Sequence, residues 1–227
     1  NRGYRLLESP DIMSEAEIRS LMDTEWAGKN IVYFDEIDST NNRAKELGEK
    51  DGVHGTLFVA DRQVAGKGRR GRVWESPKGI SIYMTILLRP DLIPTKAPML
   101  TLVMAQSVAE GIREVTGMET GIKWPNDIVM NGKKVCGIST ELSAQLDYIN
   151  YVVIGVGINV NQKVFDEELK EKATSLMIET GAPVKRSALI AAVMKHFEKN
   201  YALFMENGDL SGLQESYNEM LVNRGKE

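Results

Sequence analysis

Apolar and polar positions alternate most regularly between Gly79 and Leu88. Ile80, Ile82, Met84, Ile86 and Leu88 fall on one side, and Ser81, Tyr83 and Thr85 on the other. A period of two means a β-strand with one buried face. The run from Ile149 to Val160 has the same period. Ile154, Val156, Ile158 and Val160 share one side, while Gly155, Gly157 and Asn159 share the other. Ile31–Phe34 and Thr56–Ala60 are short apolar runs that also predict strands. Ile128–Met130 and Lys133–Ile138 flank Asn131-Gly132, a dipeptide suited to the two positive φ angles of a type I′ hairpin. Just upstream, Pro125 disfavours helix at Trp124, so Lys123 is predicted to lie on a strand.

Helical spacing fills the gaps between these runs. Ser14 with Glu17 fits a capping box, with Ile18, Leu21 and Met22 on the helix's apolar side. Ser39 is a predicted N-cap for a helix through Ala44 and Leu47. After Pro94, the residues Leu100, Val103, Met104, Val108, Ile112 and Val115 recur at three and four, and Gly117 is the predicted stop. Phe165–Lys172 is predicted as a short polar surface helix. Ser187–Phe204 predicts an amphipathic helix with Ile190, Val193, Met194, Phe197, Tyr201 and Phe204 inward, with His196 beside the stripe in a structural role. Leu210–Leu221 predicts a last helix. Hairpins with helices between them imply an α+β fold, with helices packed on a mixed, mainly antiparallel sheet.

Composition narrows the function classes. The 227 residues suffice for one large domain. There are 28 basic and 32 acidic side chains, a net charge of −4, which disfavours general electrostatic binding of nucleic acid. Cys136 is the single cysteine and His54 and His196 the only histidines. Intrachain disulfides are thereby excluded, a zinc site is disfavoured, and a reducing, cytoplasmic setting is expected. No apolar run is long enough for a membrane helix. The chain starts at Asn1 and stops in a polar stretch, so it is expected to be part of a longer polypeptide.

Against that acidic background Arg62–Pro77 is locally basic. It carries Arg62, Lys67, Arg69, Arg70 and Arg72, with Gly66, Gly68 and Gly71 between them, and closes on Trp74. Such a loop has three readings: a solvated basic turn, a nucleic-acid patch, or an oligophosphate-binding loop whose amides and cations satisfy phosphate oxygens. Its spacing does not fit a P-loop, and its Gly-x-Gly-x-x-Gly match lacks the acidic residue and βαβ context of a dinucleotide-binding unit. Three other features have two readings each. Ser39, Thr40 and Asn41 are either a helix cap or a polar edge offered to a small ligand. Lys123, between Ile122 and Trp124, pairs either with an acid or with an anionic ligand. Gly155 and Gly157 admit either a ligand or a packed helix. Asn159, at the end of that smooth face, could read an adenine edge.

Four segments in order change the weighting: Ser39-Thr40-Asn41; Gln63 followed by Gly66-Lys67-Gly68-Arg69-Arg70-Gly71-Arg72 and Trp74; Lys123-Trp124-Pro125-Asn126-Asp127; and Gly155, Gly157 and Asn159. Together they resemble the catalytic domain of bacterial biotin protein ligases across nearly the whole chain. Lys67 stands where that family more usually has arginine, which keeps the charge and loses the planar fork. The resemblance implies a fold akin to class II aminoacyl-tRNA synthetases. It implies ATP-dependent formation of biotinyl-5′-AMP and pyrophosphate, then transfer of biotin to a lysine of a biotin carboxyl carrier domain, with magnesium accompanying ATP and no metal ligands assigned.

By the same resemblance Lys123 and Arg69 are the catalytic cations. Ser39, Thr40, Asn41, Gln63, Lys67, Gly68, Arg69, Lys123, Gly155 and Gly157 would bind biotin. Arg69, Arg70, Arg72, Trp74, Lys123 and Asn159 would bind ATP or the adenylate. No base for the acceptor lysine is assigned. Residues 1–7 resemble the end of an upstream winged-helix domain, which would be the route to DNA and to a biotin-operon repressor role. Residues 8–227 would form the ligase domain, with the family's small C-terminal β-barrel absent, and a homodimer is a further expectation. The competing readings are a lipoate–protein ligase, a nucleic-acid-binding module using the basic loop, and a catalytically dead biotin sensor.

Overall fold

The computed structural model describes residues 11–68, 71 and 73–225. The expected winged-helix remnant at residues 1–7 and the loop arginines Arg69, Arg70 and Arg72 lie outside these described residues. Helix α1 (Glu15–Leu21) opens the fold, with Ser14 Oγ accepting from Glu17 N at 3.2 Å. Only that half of the expected capping box forms, since the Glu17 carboxylate pairs with Lys185 instead. Strand β1 (Ile31–Phe34), helix α2 (Thr40–Gly48), and strands β2 (Thr56–Ala60) and β3 (Ile82–Leu88) follow. A turn of 3₁₀ helix at Pro94–Lys96 leads into α3 (Met99–Thr116). Gly117 ends α3 at φ 70°, its N–H bonded to Arg113 O.

The second half adds β4 (Gly121–Lys123), β5 (Asp127–Met130), β6 (Lys133–Ala144) and β7 (Ile149–Ile158). Asn131 and Gly132 both take positive φ, 49° and 80°, as the hairpin signal requires. Helices α4 (Leu176–Thr180), α5 (Arg186–Asn207) and α6 (Gln214–Met220) complete the chain. Two helix expectations are corrected. Phe165–Lys172 is coil and turn, because its exposed, mostly charged side chains offer no apolar stripe to pack. Only Gln214–Met220 of the Leu210–Leu221 segment is helical, since Gly212 sits early in it and Leu221 turns extended to bridge Ile122.

Among the described residues the strands form one sheet in the order β1-β2-β3-β7-β6-β5-β4. Every neighbouring pair is antiparallel except β1–β2. One face of the sheet is buried under α3 and α5 in the main core, with Met84, Ile86, Ile128, Ile138, Val156 and Ile158 all at or near zero exposure. The other face carries α2 over β3 and β7, around Ala44, Phe58, Leu87, Tyr151 and Val153, and leaves the β6–β4 side uncovered.

Helices α3 and α5 are locked by a polar cluster beside that core. His196 lies 2.8 Å from Glu114 Oε2 and 3.3 Å from Glu110 Oε2; Asn200 and Gln106 also reach Glu110, and Lys195 reaches Glu114. The Glu110 hydrogen bond, working against burial, raises the His196 pKa above 6.5. Burial alone would raise Glu110, but hydrogen bonds from His196, Gln106 and Asn200 pull it down to about 2. His196 therefore stabilises the fold fully below 6.5, and this is lost as pH rises through its elevated pKa. Glu110 contributes above its unfolded value of 4.5, and this is lost as pH falls toward about 2. Both are in place between 4.5 and 6.5. Urea unfolding at pH 6 and pH 8 is expected to show a fall in stability that His196→Gln reduces; an unchanged fall would assign it elsewhere.

Candidate active site

Strand register assembles the site. Lys123 pairs with Asp127, Asp127 with Gly137, Gly137 with Gly157, and Gly157 with Tyr83. Side chains directly opposite one another in antiparallel strands share a face, so these five residues form one row on the face away from the main core. The next row is Ser139, Gly155, Thr85 and Phe58. Small residues in the middle of both rows keep the face low. Above it lies a cavity of about 1150 Å³, lined by Ser39, Thr40, Asn41, Gln63, Lys67, Gly68, Trp74, Trp124–Asp127, Lys134, Gly155, Gly157 and Asn159 among others.

The two glycines of β7 each have a defined neighbour. A Cβ on Gly155 would lie 2.2 Å from Asn41 Oδ1, and one on Gly157 would lie 2.6 Å from Trp74 Cε2. Gly155 thus admits the start of α2, and Gly157 admits the indole. Trp74 in turn lies under Lys134, whose Nζ is 5.3 Å from the ring centroid and 2.7 Å from Asp127 Oδ1. The indole Nε1 is buried and has no hydrogen-bond partner.

One end of the cavity is a set of neutral polar groups. Ser39 sits at the N-cap of α2, yet its side chain makes no capping bond. Its hydroxyl is therefore not spent on the helix. Gln63 Oε1 accepts from Thr40 N at 2.9 Å and Thr40 Oγ1 at 3.1 Å, and Gln63 Nε2 donates to Ser76 Oγ at 3.1 Å. Ser76 passes its own proton to Trp74 O at 3.0 Å. Asn41 is occupied internally. Its amide donates to Ser139 Oγ and Glu141 Oε1, and its Oδ1 accepts from Thr85. Asn41 therefore supports the pocket wall and has little left to offer a ligand. Asn159 is buried too, with Nδ2 donating to Thr174 O at 3.1 Å.

Cations stand around the cavity. Lys67 is exposed, with Nζ 3.5 Å from Asn42 Oδ1, and its backbone bridges Val73 across the loop. Lys123 is the last residue of β4, at the sheet edge, and it is exposed. Its ammonium incurs no desolvation cost between Ile122 and Trp124: Ile122 points into the core, and Lys123 points the opposite way, as strand alternation requires. Lys123 stands at the rim and is not itself part of the cavity wall, whereas Trp124–Asp127 are. The C-terminal segment braces this edge, with Val222 N bonded to Ile122 O at 3.0 Å and Asn223 Oδ1 accepting from Trp124 N at 3.1 Å.

Lys134, Ser76, Thr85 and Glu141 belong to the site's framework and were not singled out from the sequence. Lys134 escaped because of a β-bulge. Counting by twos from Cys136 and Ile138 puts it on the core face, but the register shifts so that Val129 pairs with Lys134. The extra residue turns Lys134 onto the cavity face. Among the described residues no group of three or more His, Cys, Asp and Glu side chains is placed to hold a metal ion.

Residues 33–159 match the model of the biotin/lipoate A/B protein ligase family. The bifunctional ligase/repressor BirA of Bacillus subtilis is 46% identical over 220 residues, covering 95% of this chain and 68% of that protein. A biotin protein ligase from Aquifex aeolicus, solved in complex with biotin and ATP, superposes with a TM-score of 0.75 at 35% identity, covering 86% of this chain and 79% of that one. A biotin protein ligase from Leishmania major, solved with biotinyl-5-AMP, gives a TM-score of 0.67 at 25% identity over 87% and 83% of the two chains. The chain belongs to the biotin/lipoate A/B protein ligase family.

Proposed function

We infer that this chain is an ATP-dependent biotin–protein ligase. One observation supports the assignment beyond the family: a single cavity combines neutral hydrogen-bonding groups with cations in its wall and at its rim. A ureido ring needs the first and a carboxylate facing a triphosphate needs the second. The lipoate reading fits less well, because a dithiolane ring has no N–H or carbonyl to engage Ser39, Thr40 and Gln63.

In the first half-reaction a biotin carboxylate oxygen bonds to the α-phosphorus of ATP and the bond to pyrophosphate breaks. Both partners are anionic, so the protein's task is to neutralise their approach and the charge in the transition state. Lys123 would reach in from the rim between carboxylate and α-phosphate. Arg69 would hold phosphate, with Arg70 and Arg72 beside it on the same loop. Lys67 and Gly68 would close the loop over the biotin head. The carboxylate is already ionised, so no general base is needed. Trp74 would stack on adenine with Asn159 at its edge, while Gly155 and Gly157, expected to touch biotin, instead seat Asn41 and Trp74. Magnesium would arrive with ATP and be held largely through phosphate oxygens and water, the ion's usual habit.

In the second half-reaction the acceptor lysine amine bonds to the acyl carbon and AMP leaves. The acceptor would be a carrier domain docking at the open side of the cavity, and a second copy of the chain is a further possible partner. No helix among the described residues is long and apolar enough to cross a membrane. A cytoplasmic location rests on the substrates and on the lone, buried Cys136. A repressor role would rest on a DNA-binding domain outside residues 11–225. The expected result is pyrophosphate release from ATP that requires biotin. Release with lipoate and none with biotin would transfer the assignment to the other branch of the family.

A further inference from the structure

Thr85 is fully buried beneath the cavity and touches two residues of its polar end. Four side-chain oxygens form a chain: Asn41 Oδ1 to Thr85 Oγ1 at 2.6 Å, Thr85 Oγ1 to Thr40 Oγ1 at 2.8 Å, and Thr40 Oγ1 to Gln63 Oε1 at 3.1 Å. The amide orientations at both ends are fixed by their other partners. Asn41 Nδ2 faces the Glu141 carboxylate, which only accepts, so Oδ1 must face Thr85. The Thr40 N–H only donates, so the Gln63 atom facing it is Oε1. Gln63 Nε2 then faces Ser76, whose proton is committed to the Trp74 carbonyl.

An amide oxygen brings no proton, so two hydroxyl protons must serve three oxygen–oxygen contacts. Whichever way Thr40 and Thr85 turn, one contact has no proton in it. A bare contact between two buried oxygens is unfavourable. A ligand N–H moves the bare contact to the place where an added donor offsets it. If it donates to Gln63 Oε1, which already takes the Thr40 N–H on its other lone pair, the Thr40 hydroxyl is released. It can turn to Thr85, and Thr85 donates to Asn41. The contact left without a proton is then Thr40 Oγ1 to Gln63 Oε1, and there two N–H donors, from Thr40 N and from the ligand, offset it at Gln63 Oε1.

We propose that Thr85 is a specificity-determining positioning residue, which leaves the polar end of the cavity one hydrogen-bond donor short and so selects a ring that carries N–H. This rests on the biotin reading of the cavity. It adds a buried residue that never touches the ligand, and it gives a reason for choosing a ureido ring over an N–H-free ring of similar size.

The test is calorimetric titration of wild type, Thr85→Val and Thr85→Ser with biotin and with its N1′-methyl and N3′-methyl derivatives, each lacking one N–H. Thr85→Val keeps the shape and removes the hydroxyl. It is expected to weaken biotin binding about tenfold or more, the usual cost of a lost buried hydrogen bond. It should also compress the preference for biotin over the more weakly bound methyl derivative, while Thr85→Ser keeps both. Equal losses for all three ligands would mark Thr85 as merely structural and overturn the proposal, as would an unchanged biotin affinity. Wild type alone supplies a check if Thr85→Val does not fold: equal affinity for biotin and both methyl derivatives would sink the idea. A wild-type chain that binds no biotin would remove the functional assignment itself, whereas failure confined to the Thr85 variants leaves it standing.

Discussion

Lys123→Ala is expected to lower biotin-dependent pyrophosphate release by about 10²–10³-fold, the scale for losing one group that stabilises transition-state charge. Lys123 ends the cross-strand row at the sheet edge, with Asp127, Gly137 and Gly157 between it and Tyr83. Across β4 to β7 the row spans three strand spacings, about 14 Å. That places a head group and an activated tail at separate ends of one site. Exposure at the rim costs the free enzyme nothing, and the ammonium is desolvated only when substrates close over it. Lys123→Arg is expected to recover part of the rate, because charge is kept while reach and geometry change. Single-turnover pyrophosphate release is the measurement. A near-normal rate in Lys123→Ala would shift the electrostatic load to Lys134 and the loop arginines. Biotin affinity measured without ATP should change far less than the rate, since Lys123 is proposed to meet the carboxylate and not the ureido ring.

Arg186→Ala is expected to destabilise the fold by about 3–5 kcal/mol, the range for breaking a buried ion pair by removing one partner. Arg186 is 3% exposed. Its guanidinium bonds to Asp11 Oδ2 and Asp61 Oδ1, both at 2.6 Å, and to Ser81 O, while its backbone N–H reaches Asp11 Oδ1. The variant would leave Asp61 charged and buried without its cation. Asp61 directly follows β2 and precedes Arg62 and Gln63, so the damage falls at the base of the ligand loop. Urea unfolding measures the loss. Adding Asp61→Asn to Arg186→Ala is expected to recover a part of it, because the stranded charge is gone. A loss below about 1 kcal/mol would mean that water takes over the guanidinium's role.

Local periodicity and capping chemistry suffice for most of the elements. The two long strands, the α3 and α5 helices, the Gly117 stop and the Asn131-Gly132 turn are each set by residues within a few positions of one another. Phe165–Lys172 fails as a helix for the complementary reason: local propensity without an apolar stripe has nothing to pack against. The residues that line the cavity were partly legible too. Ser39, Thr40 and Gln63 are polar residues in short segments that a fold must bring together, and the smooth side of β7 is visible in Gly155, Gly157 and Asn159.

Tertiary structure decided the rest, because it depends on pairs far apart in the chain. The sheet order sets Lys123 and Gly157 in one row. The bulge between β5 and β6 turns Lys134 toward Trp74, against the period-two count. Side-chain packing gives Gly155 to Asn41 and Gly157 to Trp74. The hydrogen-bond chain from Asn41 to Gln63 joins residues of α2, β3 and the loop after β2. Its shortage of one proton is a property of distances and orientations, which no spacing of residues along the chain encodes.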